Sequence, residues 1–150
     1  MAHFAQIGRS NKVLRLVKIE NSEMLDSKGV EQESIGQNFL AESHGIFPEW
    51  VQCSINTFAN VHSEGGTPLR ANYPGIGWYY DETNNIFHSD RPTDKDGQSC
   101  ASWTLNTTTG VWSSPITKPT SPAESENSLW LWDESAYQAD NTTGWVKSDA

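Results

Sequence analysis

The residues best suited to chemistry in this chain are carboxylates in turn-forming company. Thr93-Asp94-Lys95-Asp96-Gly97 has the opening of a calcium loop, in which oxygen ligands at alternate positions surround the ion. A helix–loop–helix calcium site also needs a bidentate Glu at the twelfth position. Counting from Asp94, that position is Leu105, so an ordinary acidic turn is the better reading. Asp81-Glu82 and Asp133-Glu134 are paired carboxylates of the kind that can do acid–base work. They stand at equivalent turn positions of a repeat, and turn formation explains both pairs with one cause. His3, His44, His62 and His88 show no i, i+4 pair and no local carboxylate–histidine–nucleophile pattern. Cys53 and Cys100 have no spacing motif to each other or to a histidine, which argues against zinc. Two buried free thiols are expected, and a disulfide stays open. Gly75-Ile76-Gly77 precedes a strand rather than a helix and is no phosphate loop. The expectation is a protein that is not an enzyme: no catalytic residue, no metal, no cofactor.

The elements around these residues are set by one aromatic pattern that occurs three times between Trp78 and Trp145. The copies begin Trp78-Tyr79-Tyr80, Trp103-Thr104-Leu105 and Trp130-Leu131-Trp132, and close on Phe87, Trp112 and Trp145. Six residues separate the second large apolar residue from the closing aromatic in the first two copies, and twelve in the third. The i, i+2 spacing puts both leading side chains on one face of a strand. The intervening Asp, Glu, Asn, Thr and Gly are turn formers, and Asn141-Thr142-Thr143-Gly144 suits a type I turn followed by a left-handed glycine. Each copy reads as an antiparallel hairpin whose closing aromatic returns to the face of its opening Trp. Trp103 and Trp112 are expected on one face and largely buried. A single hairpin is marginal in water, so three should share an apolar face. A core role for these aromatics is favoured over an exposed stacking surface.

Ahead of the repeat the order reads β-β-α-β. His3–Ile7 and Lys12–Ile19 are strand-like around a Gly8–Asn11 turn, and Asn21–Gly29 is a loop. A helix is expected over Glu31–Ser43, with Ile35, Phe39 and Leu40 on one stripe, Glu31 and Glu33 in the first turn and Gly45 as its stop. Gly36 inside it is a liability of about 1 kcal/mol. Trp50–Ile55 is a strand. Asn56–Pro68 reads as a long loop, and the proline-containing connector Pro115–Asn127 as an extended segment. The fold class is therefore α+β, mainly antiparallel β. An N-terminal β-β-α-β unit over 1–70 precedes a three-hairpin region over 71–150, as two parts of what can be one continuous domain.

A chain of 150 residues with 35% hydrophobic content holds a modest core, helped by seven Trp, five Phe and four Tyr. The formal net charge of -9 argues against nucleic acid and against anionic membranes as partners. No apolar leader and no membrane-spanning run is present in the sequence, so synthesis in a cytoplasm is expected.

Several stretches resemble a family of small proteins of tailed phages of marine bacteria, especially cyanobacteria. They are Met1-Ala-His-Phe-Ala-Gln-Ile7, Asn72-Tyr-Pro-Gly-Ile-Gly-Trp-Tyr-Tyr-Asp81, Ala101-Ser-Trp-Thr-Leu-Asn106 with Trp112-Ser-Ser-Pro115, and Trp132-Asp-Glu134 with Trp145. The match runs in order over nearly the whole chain. The hairpin repeat is also similar to the C-terminal part of some tail-fibre and fibre-assembly proteins. The long loop after Ile55 and the six extra residues before Thr142 depart from that pattern. The resemblance implies a non-enzymatic virion component made in the host bacterial cytoplasm. It would be a small decoration or accessory protein on the outside of the capsid or tail, with the major capsid or tail protein as its partner. Self-association stays open. The alternative is a receptor- or glycan-binding fibre module or a fibre chaperone, with a glycan the less favoured ligand. Contacts are expected from the loop and connector, at His62, Glu64, Pro68, Pro119 and Pro122, and from Tyr137 in the third copy. The acidic charge further predicts a relatively basic partner patch and binding that weakens with salt.

Overall fold

A computed structural model describes residues 1–45, 49–120 and 128–149, apart from the side chains of residues 128 and 149. The fold is α+β with mainly antiparallel strands. It divides into two compact units, Met1–Asp90 with Thr107–Val111, and Arg91–Asn106 with Trp112–Ala150.

In the first unit, β1 (Ala2–Ile7) pairs antiparallel with β2 (Val13–Ile19) on one side. Helix α1 (Glu33–His44) follows, and β3 (Glu49–Cys53) then pairs antiparallel with β1 on its other side. The central strand is buried on both faces. On one face Ala5, Ile7, Val13, Val51 and Cys53 pack with Tyr80 and Phe87. On the other, Ala2, Phe4, Ile19 and Trp50 pack with Met24 and Leu40. This alternation is the period of two that a strand imposes. Helix α1 starts two residues later than the sequence suggests, and Gly36 has a packing reason to be there. A Cβ at that position would overlap Met24 Sδ and come within 2.6 Å of the Phe4 ring. The propensity loss at Gly36 is offset by close approach of the helix to the sheet.

Residues 56–68 are not the unstructured loop expected. β4 (Thr57–Phe58) and β5 (Val61–His62) form a tight hairpin with Phe58 directly opposite Val61. Its turn residues Ala59 and Asn60 lie at φ +48° and +62°. The sequence hid the turn because its first position carries Ala rather than Asn or Gly.

The aromatic repeats are hairpins. β6 (Tyr79–Asp81) and β7 (Ile86–His88) set Tyr80 opposite Phe87, with ring centroids 5.2 Å apart. Asp81 closes the turn by accepting from Asn84 N and Asn84 Nδ2 at 3.1 and 2.7 Å. β8 (Thr104–Asn106) pairs with β9 (Val111–Ser113). The residue ending each turn is left-handed, Asn85 at φ +53° and Gly110 at +64°. Trp103 and Trp112, expected to be largely buried, are both half-buried, and the Arg91 guanidinium lies 4.6 Å over the Trp112 ring.

In the second unit, β10 (Ser128–Trp132) and β11 (Trp145–Asp149) pair with Trp132 opposite Trp145. Four of the six extra residues of this copy, 136–139, belong to a second helix, α2 (Glu134–Ala139), that the sequence reading missed. Asp133 caps it by accepting from Ala136 N at 2.8 Å. Gly144 sits at φ +154° rather than in the left-handed helical region. The Trp132 ring explains its identity, because a Cβ there would lie 2.5 Å from ring carbons. The Trp103, Trp132 and Trp145 rings pack on one another at 5.3–6.0 Å, as core aromatics do.

Candidate functional site

The β4–β5 hairpin is the most purposefully mounted surface feature of the first unit. Thr57 is buried, and its hydroxyl accepts from Leu69 N at 3.2 Å while its carbonyl accepts from Tyr73 N at 2.9 Å. Asn60 N donates to Ala71 O at 2.8 Å, and Ala59 N donates to Asn72 Oδ1 at 2.8 Å. Asn72 is 1% exposed, and its Nδ2 donates to Phe87 O and Thr109 O, both at 2.9 Å, with Gly110 O at 3.3 Å. One side chain thus ties the hairpin to β7 and to the 107–111 turn. The amide orientation is forced, since its oxygen meets an N–H and its nitrogen meets only carbonyls.

The chain turns under the hairpin through two successive left-handed residues, Arg70 and Ala71, at φ +49° and +64°. Arg70 holds this turn with its whole guanidinium. Nε donates to Asn85 Oδ1 at 3.0 Å, Nη1 to Gln52 O at 2.8 Å, and Nη2 to Glu33 Oε2 at 3.0 Å. Burial opposes its charge, but the Glu33 carboxylate and the Tyr80 hydroxyl together offset this and raise its pKa. On this rigid mount the hairpin displays Phe58 at 68% and Val61 at 65% exposure, with Ile55 at 61% beside them in sequence. Paired directly across the strands, Phe58 and Val61 share one face.

A cavity of about 230 Å³ opens near the hairpin root, lined among others by His3, Glu31, Gln52, Cys53, Asn56 and His62. It holds no activated nucleophile. Burial pushes the Cys53 thiol up to about 12, so it is protonated at neutral pH. His3 is held below its usual value by burial, then by the N-terminal charge and Lys18. His62 Nδ1 accepts from Glu64 N at 3.2 Å and Gly66 N at 3.1 Å, which leaves the ring proton on Nε2. Such walls can hydrogen-bond a polar group. Among the described residues no cluster of His, Cys, Asp or Glu could hold a metal ion.

The second unit turns on two carboxylates already filled by donors. Glu134, 5% exposed, accepts from Ser102 N at 2.9 Å and Gln138 Nε2 at 2.9 Å through Oε1. Its Oε2 accepts from Ser102 Oγ and Trp132 Nε1, both at 2.7 Å. Asp94 accepts from Asp96 N and Gln98 N at 2.9 Å, and from Glu134 N at 3.0 Å. Burial works against both charges, but these donors win and depress both pKa values. Hydrogen bonds of this kind let each carboxylate tie separate segments of the unit together. Asp94 is thus a turn cap, and the Asp133-Glu134 pair is split between a helix cap and a buried hub.

Of the contact residues expected from sequence, His62, Glu64 and Pro68 lie in the hairpin segment, with Glu64 exposed and the other two half-buried. Pro119 is half-buried in the second unit. Tyr137 is half-buried with its ring against Trp132 at 5.4 Å, a packing contact. Pro122 lies outside the described residues. Sequence reasoning missed Phe58, Val61 and Asn72. The available signal was the symmetric flanking of a two-residue turn by Phe58 and Val61. The Cys53 and Cys100 thiols are both free and buried. No protein-family model, characterised protein or solved structure matches this chain.

Proposed function

We propose that this protein is a non-enzymatic structural component of a tailed-phage virion, a small decoration or accessory protein on the outside of the capsid or tail. Its partner is the major capsid or tail protein, and it docks by the β4–β5 hairpin. The observation that carries the reading is the exposed Phe58–Val61 pair on a backbone fixed from behind by Asn72, Leu69 and Ala71. Large apolar groups on a pre-ordered frame lower the ordering cost of association, which is what a docking element needs. The resemblance of the chain to marine phage proteins supplies the class of partner. Net charge of -9 favours a partner patch with basic residues around an apolar recess.

The test is a Phe58→Ser, Val61→Ser double variant, which alters only exposed side chains and leaves the hairpin hydrogen bonds in place. Particles assembled with it and weighed by quantitative mass spectrometry should lose most of this protein. Full occupancy would refute docking through the hairpin. Wild-type copy number tests the class: high stoichiometric copy supports decoration, a few copies per particle a fibre module, and absence from particles a chaperone.

A further inference from the structure

The three-stranded sheet has two outer edges, and the fold treats them differently. The β3 edge is closed by side chains of the same unit. Gln37 Nε2 donates to Trp50 O at 2.7 Å, Gln52 N donates to Glu33 Oε1 at 2.8 Å, and Arg70 Nη1 donates to Gln52 O at 2.8 Å. The β2 edge is closed only at its start, where Val13 N donates to Trp78 O and Gly77 N donates to Val13 O, both at 2.8 Å. From Leu14 to Lys18, among the described residues, the backbone has no hydrogen-bond partner other than β1. Leu14, Arg15 and Lys18 are exposed.

The charge of this edge is opposite to that of the protein. Residues 1–19 contain Arg9, Lys12, Arg15 and Lys18 and no Asp or Glu. The rest of the chain holds all 19 acidic residues against six basic ones. None of the four cations is in an ion pair with a carboxylate among the described residues. Lys12 lies over the Tyr79 ring at 5.4 Å, and Arg15 over the Trp50 ring at 5.6 Å with hydrogen bonds to Gln6 and His44. Aromatic and neutral contacts hold these side chains in place without cancelling their charge.

We propose that the β2 edge, Leu14–Lys18, takes up an acidic extended segment of another protein as a fourth strand. An open edge offers unpaired N–H and C=O groups to such a segment. The charge decides the occupant. A second copy pairing edge to edge would bring Lys12, Arg15 and Lys18 of both copies into one seam, where like charges on neighbouring strands are destabilising. A segment with Asp or Glu would be attracted instead. The spacing adds a requirement: Arg15 pairs with Gln6 and Lys18 with His3, on opposite faces of the sheet. A matching strand therefore carries its acids three residues apart. This edge is separate from the Phe58–Val61 face, so the two surfaces stand or fall by different variants.

The test uses the full chain and a blocked peptide, Thr-Val-Glu-Thr-Val-Glu-Thr-Val, with a Lys-for-Glu peptide as control, read by residue-resolved hydrogen exchange. The expected result is slowing of the free amides between Leu14 and Lys18 by about tenfold, or about 1.4 kcal/mol. The effect should fall with salt and be absent with the Lys peptide. Lys18→Glu, at a side chain exposed to solvent, should weaken the effect of the acidic peptide and favour the Lys peptide. The proposal is overturned if neither peptide changes exchange there, which would mark the lysines as guards against pairing. It is also overturned if both peptides act equally, or if protection rises with protein concentration alone, which would make a second copy the occupant.

Discussion

Removal of the Asn72 side chain is the most demanding test of the first unit. Asn72→Ala deletes the acceptor for Ala59 N and the donors to Phe87 O and Thr109 O. Each hydrogen bond contributes roughly 1 kcal/mol net, and each buried partner left unpaired costs about 1–3 kcal/mol, so a loss of about 3–5 kcal/mol is expected. For a unit of this size each kcal/mol moves Tm by roughly 4–8 °C, so the midpoint should fall by at least roughly 12 °C. Differential scanning calorimetry reads the midpoint, and hydrogen exchange should show the Ala59 amide losing its protection. Asn72→Asp separates the hydrogen bonds from the packing. It keeps the shape and the acceptor for Ala59 but aims a second oxygen at three carbonyls, with a buried negative charge. It should therefore be less stable than Asn72→Ala at pH 7 and recover part of the difference in acid, as the carboxyl protonates and regains a donor. If Asn72→Asp matches or exceeds the stability of Asn72→Ala at pH 7, the donor role assigned to Nδ2 is wrong.

Two further outcomes follow from the same physics. The depressed pKa values of Glu134 and Asp94 stabilise the fold above their ordinary values of 4.5 and 3.8, and this stability is lost as pH falls below those values through the lower folded ones. Tryptophan fluorescence reports mainly the second unit, which holds five of the seven Trp, and should show it opening in that acid range; Glu134→Gln should cost about 1–3 kcal/mol at pH 7 and flatten the acid limb. Gly36→Ala should destabilise by about 1–2 kcal/mol in urea unfolding despite the gain in helix propensity, because overpacking against Met24 and Phe4 exceeds that gain of about 1 kcal/mol.

What the sequence determined by itself was local. The strand character of β1 and β2 and the i, i+2 aromatics with their Asp-, Asn- and Gly-containing turns are read within a few residues, where backbone sterics and side-chain period act. The expected helix stripe was not: α1 buries Gly36 and Leu40, while Phe39 of the predicted stripe is exposed. The tertiary structure decided what depends on partners far along the chain. Residues 56–68 look too poor in apolar groups to order themselves, and the hairpin within them orders because Asn72, Ala71 and Leu69 supply its hydrogen bonds. Glu134 resembles Glu82 in sequence, yet it becomes a buried hub because Ser102, 32 residues away, and Trp132 donate to it. Glu82 stays exposed. The mount of the β4–β5 hairpin and the open basic edge of β2 were equally out of reach of local reading. Which N–H finds a partner and which edge stays bare is fixed only when distant segments pack, since a buried polar group must be satisfied by whatever the fold brings to it.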